Sequence, residues 1–239
     1  KSINIANLSE IVISKLINDK YCLLDNANQV KLKTTLNIEA KQQSKLKVAL
    51  LGHTNLNLLK KYFKQNFEKL IPDRIVDIFI NDYDQFTKQI LENNSDLNKF
   101  KPNITIFTSK IEDLCITNNL KDIKIAVKEY ILQLKQYILH NKGWFIIHRF
   151  SLLSNDSSCI NLNNKLYLVD ELNILMYNEL NSINNIIFLD IGIETLEKNV
   201  NFLDNRLWYM GKFPYSRDFS ELISKKWCSN IITILGKSI

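Results

Sequence analysis

Side chains with catalytic potential follow two of the apolar runs in this sequence. His53 and Thr54 come soon after the run Lys47–Leu51, and His148 ends the run Trp144–His148. An imidazole can take the proton of a nearby hydroxyl, whose oxygen can then attack an ester carbonyl. The sequence therefore offers His53 and His148 as candidate bases and Thr54 as a candidate nucleophile. The same residue types are also common as strand-end and N-cap residues, where they satisfy backbone groups.

Other polar side chains lie at the ends of the same series of apolar runs. If the runs are parallel strands, their carboxyl ends meet at one edge of a sheet, which is where open α/β sheets bind ligands. We expect a binding cleft at this edge, although any exposed end of a sheet carries similar residues. The candidate ligand contacts there are Asn55, Tyr83, Gln85 and Arg149.

The elements that must position these residues alternate along the chain. Five short apolar runs are separated by stretches of helical periodicity, which predicts a parallel sheet with helices on both faces. We therefore predict an α/β fold with three αβα layers and a five-stranded, mostly parallel sheet. Residues 1–46 are predicted to form a helical N-terminal extension, and residues 47–239 the α/β domain. The predicted strands are 47–51, 75–80, 103–108, 144–148 and 185–190, and the main helices are 56–70, 84–92, 120–139, 161–180 and 218–235.

The composition is that of a globular protein, with 46% hydrophobic and 23% charged residues. The net charge of +6 favours an acidic partner. The basic residues are spread along the chain, so nucleic acid is not the expected ligand. No apolar run reaches the ~20 residues that a membrane span requires, so a membrane partner is not expected either.

The cysteines and histidines form no recognisable metal-binding pattern. No CxxC pair occurs among the four cysteines, and none of the three histidines lies near a cysteine in the sequence. Scattered thiols and the lack of a signal peptide are typical of the reducing cytoplasm, which is the expected location. Neither the dinucleotide-binding GxGxxG pattern nor a Walker A phosphate loop occurs, so a nucleotide cofactor is not expected. The cysteines are Cys22, Cys115, Cys159 and Cys228.

Two segments carry a more specific signal. They are DRIVDIFINDYDQFTKQILENNSDLNKFKPNITIF (Asp73–Phe107) and FLDNRLWYMGKFPYSRDFSELISKKWCSNIITILGKS (Phe202–Ser238). Together with IIHRF (Ile146–Phe150), they resemble the N-terminal region of FkbH-like proteins, the HAD-superfamily subfamily IIIC proteins of polyketide and related assembly lines. The resemblance covers roughly residues 47–239. The matching positions are Tyr83, Gln85, Phe100, Pro102, Asp204, Arg206, Trp208, Tyr209, Lys212, Pro214, Tyr215 and Ser216.

The resemblance implies an SGNH (GDSL-type) hydrolase-like domain that ends at the junction to a HAD-type phosphatase domain. Full-length relatives load a glyceryl unit derived from phosphoglycerate onto an acyl carrier protein, and Mg²⁺ is expected only in the downstream HAD-type domain. SGNH hydrolases place a serine after the first strand and an Asp-x-x-His motif near the end. Here Gly52-His53-Thr54 replaces Gly-Asp-Ser, and Asp204 is followed by Leu207 at the histidine position. The resemblance adds Asp204 as a candidate carboxylate and argues against a complete Ser–His–Asp triad.

We favour a non-hydrolytic domain that docks the acyl carrier protein or shapes the acyl site of the downstream phosphatase domain. Carrier proteins are usually acidic, so Arg206 and Lys212 are the candidate contacts. Trp208 and Tyr209 are expected to brace the last helix against the sheet, because buried aromatic residues usually hold elements together.

Two alternatives remain open from the sequence. The first is an active esterase, thioesterase or acyltransferase that uses Thr54, either His53 or His148, and Asp204. The second is a structural module that supports the solubility or dimerisation of a neighbouring enzyme.

Overall fold

The computed structural model describes residues 45–114, 119–151, 159–192 and 202–236, except for the side chains of 159–166. The predicted helical extension at 1–46 therefore lies outside the described residues, apart from its last two. Those two residues belong to the first strand, where Lys45 and Leu46 pair with Ile75 and Val76. The strand thus begins two residues earlier than predicted, because the neighbouring strand extends far enough to pair with it.

The described elements follow the predicted alternation of strands and helices. The strands are β1 (Lys45–Leu51), β2 (Ile75–Ile80), β3 (Ile104–Phe107), β4 (Trp144–His148) and β5 (Ile186–Leu189). The helices are α1 (Asn57–Leu70), α2 (Phe86–Leu91), α3 (Asp96–Phe100), α4 (Ile111–Leu114), α5 (Leu120–His140), α6 (Cys159–Leu180), α7 (Asn205–Gly211) and α8 (Arg217–Ile234).

The five strands form one parallel sheet in the order β2-β1-β3-β4-β5. This order confirms the predicted α/β fold. The chain moves from β1 outward to β2 and then returns to place β3 on the other side of β1. The carboxyl ends of β1 and β3 therefore flank the topological switch point, where folds of this order bind their ligands.

Each strand sends alternate side chains into two separate cores, as the pleat of a strand requires. On one face, Val48 and Leu50 of β1 pack in a cluster with side chains of α1 and α8. On the other face, Ala49 and Leu51 pack in a cluster with side chains of α2, α5 and α6. Because both faces are covered, the strands are continuously apolar, which is why the sequence marked them so clearly.

The aromatic segment at 202–219 attaches α8 to the sheet, but through different residues from those predicted. Phe202 stacks on Phe219 with ring centroids 4.1 Å apart, and Tyr215 lies 5.1 Å from Phe219. Tyr209 is instead 84% exposed, so the prediction that it braces the last helix is wrong. Tyr209 lies on the short helix α7, which presents it to solvent.

The membrane prediction can be checked on the described helices. Among them, none combines the length and the apolar character that crossing a bilayer requires.

Candidate functional site

The carboxyl ends of β1, β2 and β3 are held together by close packing around Gly52. The buried Asn81 side chain accepts a hydrogen bond from Gly52 N at 3.0 Å and donates one to Gly52 O at 2.7 Å. On the other side, a side chain at position 52 would collide with the hydroxyl of Thr108. Thr108 is fixed because its hydroxyl donates to Leu51 O at 3.1 Å. Glycine is therefore required here by the close approach of two strand ends, and the turn delivers His53 to the switch point.

His53 pairs with a serine that follows β3. Its Nδ1 lies 3.0 Å from Ser109 Oγ, and the Ser109 side chain also hydrogen-bonds with Tyr130 of α5. The His53 ring packs on Phe86, with ring centroids 4.5 Å apart. Burial lowers the pKa of His53, and the nearby Asp113 and Asp84 partly oppose this effect. The imidazole is therefore neutral at pH 7 and can exchange a proton with the Ser109 hydroxyl.

A buried ion pair and a tyrosine occupy the space beside this serine. Lys110 Nζ lies 3.0 Å from Asp113 Oδ1, and the two side chains are only 13% and 6% exposed. The Lys110 ammonium also lies 5.9 Å from the ring centroid of Tyr215, whose hydroxyl donates to Thr108 O at 3.1 Å. Because these groups are buried and paired, they fill the edge of the sheet beside the switch point.

The four predicted catalytic side chains occupy separate environments. Thr54 is 2% exposed, so its hydroxyl is not presented to solvent. Asp204 is the N-cap of α7, where its Oδ1 accepts from Arg206 N at 2.9 Å and from Leu207 N at 3.3 Å. His148 bonds to a core tryptophan, as described below. Within the described part of the chain, none of the hydrogen bonds made by Thr54, His53, His148 and Asp204 joins two members of this set.

His148 lies in the core between the sheet and α8. Trp227 Nε1 donates a hydrogen bond of 2.8 Å to His148 Nε2. Complete burial lowers the pKa of His148 to about 3. The imidazole is therefore neutral, and its Nε2 lone pair is occupied by the indole. In this arrangement Nε2 cannot take a proton from a substrate or from a hydroxyl.

The predicted ligand contacts are dispersed along the carboxyl edge. Asn55 N donates to Lys212 O at 3.1 Å, and Asn55 Nδ2 donates to Gly211 O at 3.0 Å, so Asn55 ties the loop after β1 to the end of α7. Tyr83 is exposed. Gln85 is the N-cap residue of α2 but makes no side-chain cap bond. Arg149 forms a half-exposed ion pair with Asp190 at 2.9 Å.

The α7 surface, which we define as Arg206, Trp208, Tyr209, Met210 and Lys212, combines cations with exposed apolar groups. Tyr209 and Met210 are 84% and 79% exposed, and Arg206 and Lys212 are also exposed. Lys212 Nζ lies 4.9 Å from the Trp208 ring centroid. Through the two bonds from Asn55, this surface adjoins the loop that follows β1.

The donor set for a metal can be assessed among the described residues. They do not bring together three His, Cys, Asp or Glu side chains that could hold a metal ion. The Mg²⁺ implied by the resemblance is expected in the downstream HAD-type domain, and we assign no step to a metal here. Cys228 is a free, buried thiol whose pKa burial raises to about 12.

A large cavity among the described residues lies at the opposite edge of the sheet. It has a volume of about 750 Å³ and includes Thr105 of β3, Phe145 of β4 and Tyr137 of α5 in its lining. This position is near the amino ends of the strands and away from the switch point.

Sequence reasoning identified His53, but the hydroxyl that it placed beside His53 is not the one that His53 contacts in the structure. It sought a hydroxyl adjacent in sequence, Thr54, whereas the hydroxyl that contacts His53 is Ser109, 56 positions later. The signal that could have found Ser109 was its position directly after β3, because in this topology β3 is the neighbour of β1.

Comparison with known proteins supports the fold. No protein-family model matches the chain, and no curated protein matches its sequence. One similar solved structure is the N-terminal part of a Bacteroides fragilis protein that contains a phosphatase domain and was crystallised with Mg. It shares 20% identity with a TM-score of 0.71, and the match covers 85% of this chain and 57% of that one. The chain thus spans little more than half of that structure.

A second similar structure is an acetylxylan esterase from Geobacillus stearothermophilus. The identity is 12% and the TM-score 0.52, over 78% of this chain and 94% of the esterase. Because both identities are low, the two likenesses bear on the fold. Together they confirm the predicted SGNH-hydrolase-like fold. The first also confirms, at the level of fold, the resemblance to the N-terminal part of a protein that contains a phosphatase domain.

Proposed function

We propose that this chain is the SGNH-like N-terminal domain of an FkbH-like protein and takes part in loading a phosphoglycerate-derived glyceryl unit onto an acyl carrier protein. In this proposal the domain does not hydrolyse esters. It docks the carrier protein beside a downstream HAD-type phosphatase domain, which performs the phosphoryl chemistry and holds the Mg²⁺. We place this activity in the cytoplasm, where carrier-protein assembly lines operate.

The proposal that the domain does not hydrolyse esters rests on the burial and the hydrogen-bond partners of the predicted catalytic groups. The hydroxyl of Thr54 is buried, the Nε2 of His148 accepts from Trp227, and the carboxylate of Asp204 caps α7. A serine-type hydrolase needs a hydroxyl, an imidazole and a carboxylate in one relay. Here the Thr54 hydroxyl is buried, and the His148 imidazole and the Asp204 carboxylate each serve a separate structural contact.

The observation that supports docking is the chemistry of the α7 surface. An acidic carrier protein is attracted by exposed cations, and Arg206 and Lys212 supply two of them. Exposed aromatic and aliphatic groups between such cations supply the apolar centre of an interface, as Tyr209 and Met210 do here. The acid nearest in sequence, Asp204, accepts hydrogen bonds from the backbone N–H groups of Arg206 and Leu207 as the N-cap of α7.

The test is binding of the cognate carrier protein to the purified chain, measured by calorimetry or biolayer interferometry at two salt concentrations. Arg206→Ala and Lys212→Ala should each weaken binding about 2- to 5-fold, the range of exposed charge pairs, and less so at high salt. Tyr209→Ala should weaken it about 10-fold, as loss of a central aromatic does. Lys142→Ala is the matched control, because Lys142 is an exposed lysine at the opposite edge of the sheet.

Unchanged affinity in all three α7 variants would remove the docking proposal. An equal loss in Lys142→Ala would show that overall charge, and not the α7 surface, drives the association. A glyceryl-loading assay with the downstream domain present tests the pathway assignment separately.

One observation favours a second candidate, an esterase that uses Ser109 and His53. The 3.0 Å distance between Ser109 Oγ and His53 Nδ1 suits proton transfer. In such a reaction Ser109 Oγ attacks the ester carbonyl carbon and its proton passes to Nδ1. The leaving alcohol takes up that proton, and water then hydrolyses the acyl-serine. The burial of Ser109, which is 4% exposed, weighs against this candidate.

An ester assay separates the two candidates. With p-nitrophenyl acetate and acyl-carrier thioesters, the non-hydrolytic proposal expects no turnover above background. Turnover that is lost in Ser109→Ala and retained in Thr54→Ala would instead establish the serine–histidine pair as the active centre.

A further inference from the structure

Two adjacent helices on one side of the sheet expose an unusual number of large apolar side chains. We call this the α5–α6 face and define it by Ile125, Leu132 and Leu139 of α5 and Tyr167, Ile174 and Tyr177 of α6. Each of the six is between 55% and 74% exposed. The buried sides of the same helices already cover the sheet through Tyr130, Leu134, Leu172 and Met176. Apart from Tyr177, whose ring also packs on Phe188 of β5 with centroids 5.6 Å apart, these residues form a second apolar surface that the described part of the chain leaves exposed.

The spacing of these residues is suited to packing against other helices. Ile125, Leu132 and Leu139 recur every seven positions, and Tyr167 and Ile174 have the same separation. A seven-residue repeat keeps side chains in nearly one line along a helix, as in helices that pack side by side. A groove of about 410 Å³, lined in part by Lys128 and Ile174, runs between the two helices. Grooves of this kind receive the ridges of an opposing helix.

The size of the face is that of a protein interface. A large apolar side chain offers about 200 Å², so the six exposed fractions represent roughly 700 Å² of surface. Apolar patches above a few hundred Å² on a single chain mark interaction sites. A standard interface buries about 800 Å² on each partner, so this face together with its rim is large enough.

The charges around the face suit a second copy of this chain better than an acidic partner. Lys124 and Lys135 of α5 already pair across the helix boundary with Glu171 and Glu179 of α6, at 2.8 and 2.9 Å. Among the described side chains, the other exposed charged groups of α5 are two cations and two anions, and α6 adds the exposed Asp170. The α5 residues are Lys121, Lys128, Asp122 and Glu129. The described charges of the face thus nearly cancel, unlike those of the α7 surface with its two exposed cations.

We propose that two copies of this chain associate through their α5–α6 faces. A two-fold axis parallel to the helices places α5 of each copy over α6 of the other. The four helices then form a bundle-like interface with the apolar stripes at its centre.

The experiment is the mass of the purified chain in solution, measured by sedimentation equilibrium across a hundredfold range of concentration. We expect a monomer–dimer equilibrium. Leu132→Glu and Ile174→Glu should each raise the dimer Kd at least 10-fold, because each places a charge at the centre of the interface. Leu70→Glu is the matched control, because Leu70 is an exposed leucine of α1, on the opposite layer, and this change should leave the Kd unaltered.

Each other outcome overturns the proposal. One is the mass of a single chain at every concentration. Another is a dimer that Leu132→Glu and Ile174→Glu do not weaken, or that Leu70→Glu weakens equally. A third is a monomer whose binding to the carrier protein is lost in Leu132→Glu, which would assign the face to that partner. Circular dichroism of each variant verifies that the substitutions leave the helices folded.

Discussion

The two edges of the sheet differ in a way that informs function. At the carboxyl edge, where this topology places its ligands, the space is occupied by paired groups such as Lys110–Asp113 and by Tyr215. At the amino edge, near the first residues of β3 and β4, a cleft of about 750 Å³ is open. Among the described residues, paired and buried side chains thus occupy the carboxyl edge beside the switch point of this SGNH-like fold.

The difference between the edges follows from which residues bond to which. At the carboxyl edge, the side chains of Asn81, Thr108 and Tyr215 each bond to backbone groups at the ends of neighbouring strands. At the amino edge, Asn103 Oδ1 likewise accepts from Lys47 N and Asn185 Nδ2 donates to Gly143 O, but the buried Tyr137 hydroxyl has no hydrogen-bond partner among the described residues. We therefore expect loss of the Tyr137 hydroxyl to cost less stability than loss of a bonded group at the carboxyl edge or in the core beneath it.

The largest effect is expected from Trp227→Ala. Trp227 is fully buried, and its indole satisfies His148 Nε2. The substitution leaves a large cavity and an unpaired ring nitrogen, so it should lower the free energy of unfolding by about 3–5 kcal/mol. Urea unfolding followed by circular dichroism measures this loss. Trp208→Ala on the α7 surface is the control and should cost less than about 1 kcal/mol; equal losses would mean that the core beneath the carboxyl edge is no better packed than the surface.

The next largest effect is expected at Gly52, whose backbone lies close to the Thr108 hydroxyl. Gly52→Ala should lower the free energy of unfolding by about 1–3 kcal/mol, because the added methyl group collides with the Thr108 hydroxyl. The double variant Gly52→Ala with Thr108→Ala should recover part of that loss, as measured in a double-mutant cycle. Gly211→Ala is the control, because an added methyl group there meets no atom within 4 Å. Additive losses in the cycle would exclude the collision as the cause.

These first two predictions also show how far the sequence alone could lead. The strands and the polar residues that follow them were predictable, because strands buried on both faces, such as 144–148, are continuously apolar. The partner of each polar side chain was not, because Trp227 and His148 are 79 positions apart and meet only through the packing of α8 on the sheet. For the same reason, the exposure of Tyr209 depends on how α7 is oriented, which no local pattern specifies. The assignment of Thr54, Asp204 and the ligand contacts as functional residues stays a prediction.

A third prediction uses the titration of His148. The pKa of His148 is lowered from 6.5 to about 3 in the folded protein by burial. Between these values the unfolded chain binds a proton that the folded protein does not, so stability falls as the pH falls from about 6.5 towards 3. The difference is roughly 2 kcal/mol at pH 5 relative to pH 7.

The measurement is urea unfolding of the wild type and His148→Gln at pH 7, 6 and 5. Glutamine can still accept from Trp227 Nε1 but does not titrate, so the variant should lose less stability on acidification. His53, whose pKa is also lowered, contributes equally to both proteins. If the free energy of unfolding falls equally with pH in the wild type and in His148→Gln, His148 is not a buried neutral imidazole.

The smallest effect is expected at the amino edge, from Tyr137→Phe. The Tyr137 hydroxyl is buried without a hydrogen-bond partner among the described residues, so removing it takes away no bond and relieves the desolvation of a polar group. The free energy of unfolding should change by less than about 0.5 kcal/mol, or rise slightly. Tyr215→Phe at the carboxyl edge is the matched comparison, since it deletes the bond to Thr108 O and should cost about 1 kcal/mol. If Tyr137→Phe costs as much as Tyr215→Phe in the same urea experiment, both hydroxyls are bonded, and the contrast between these two buried tyrosines fails.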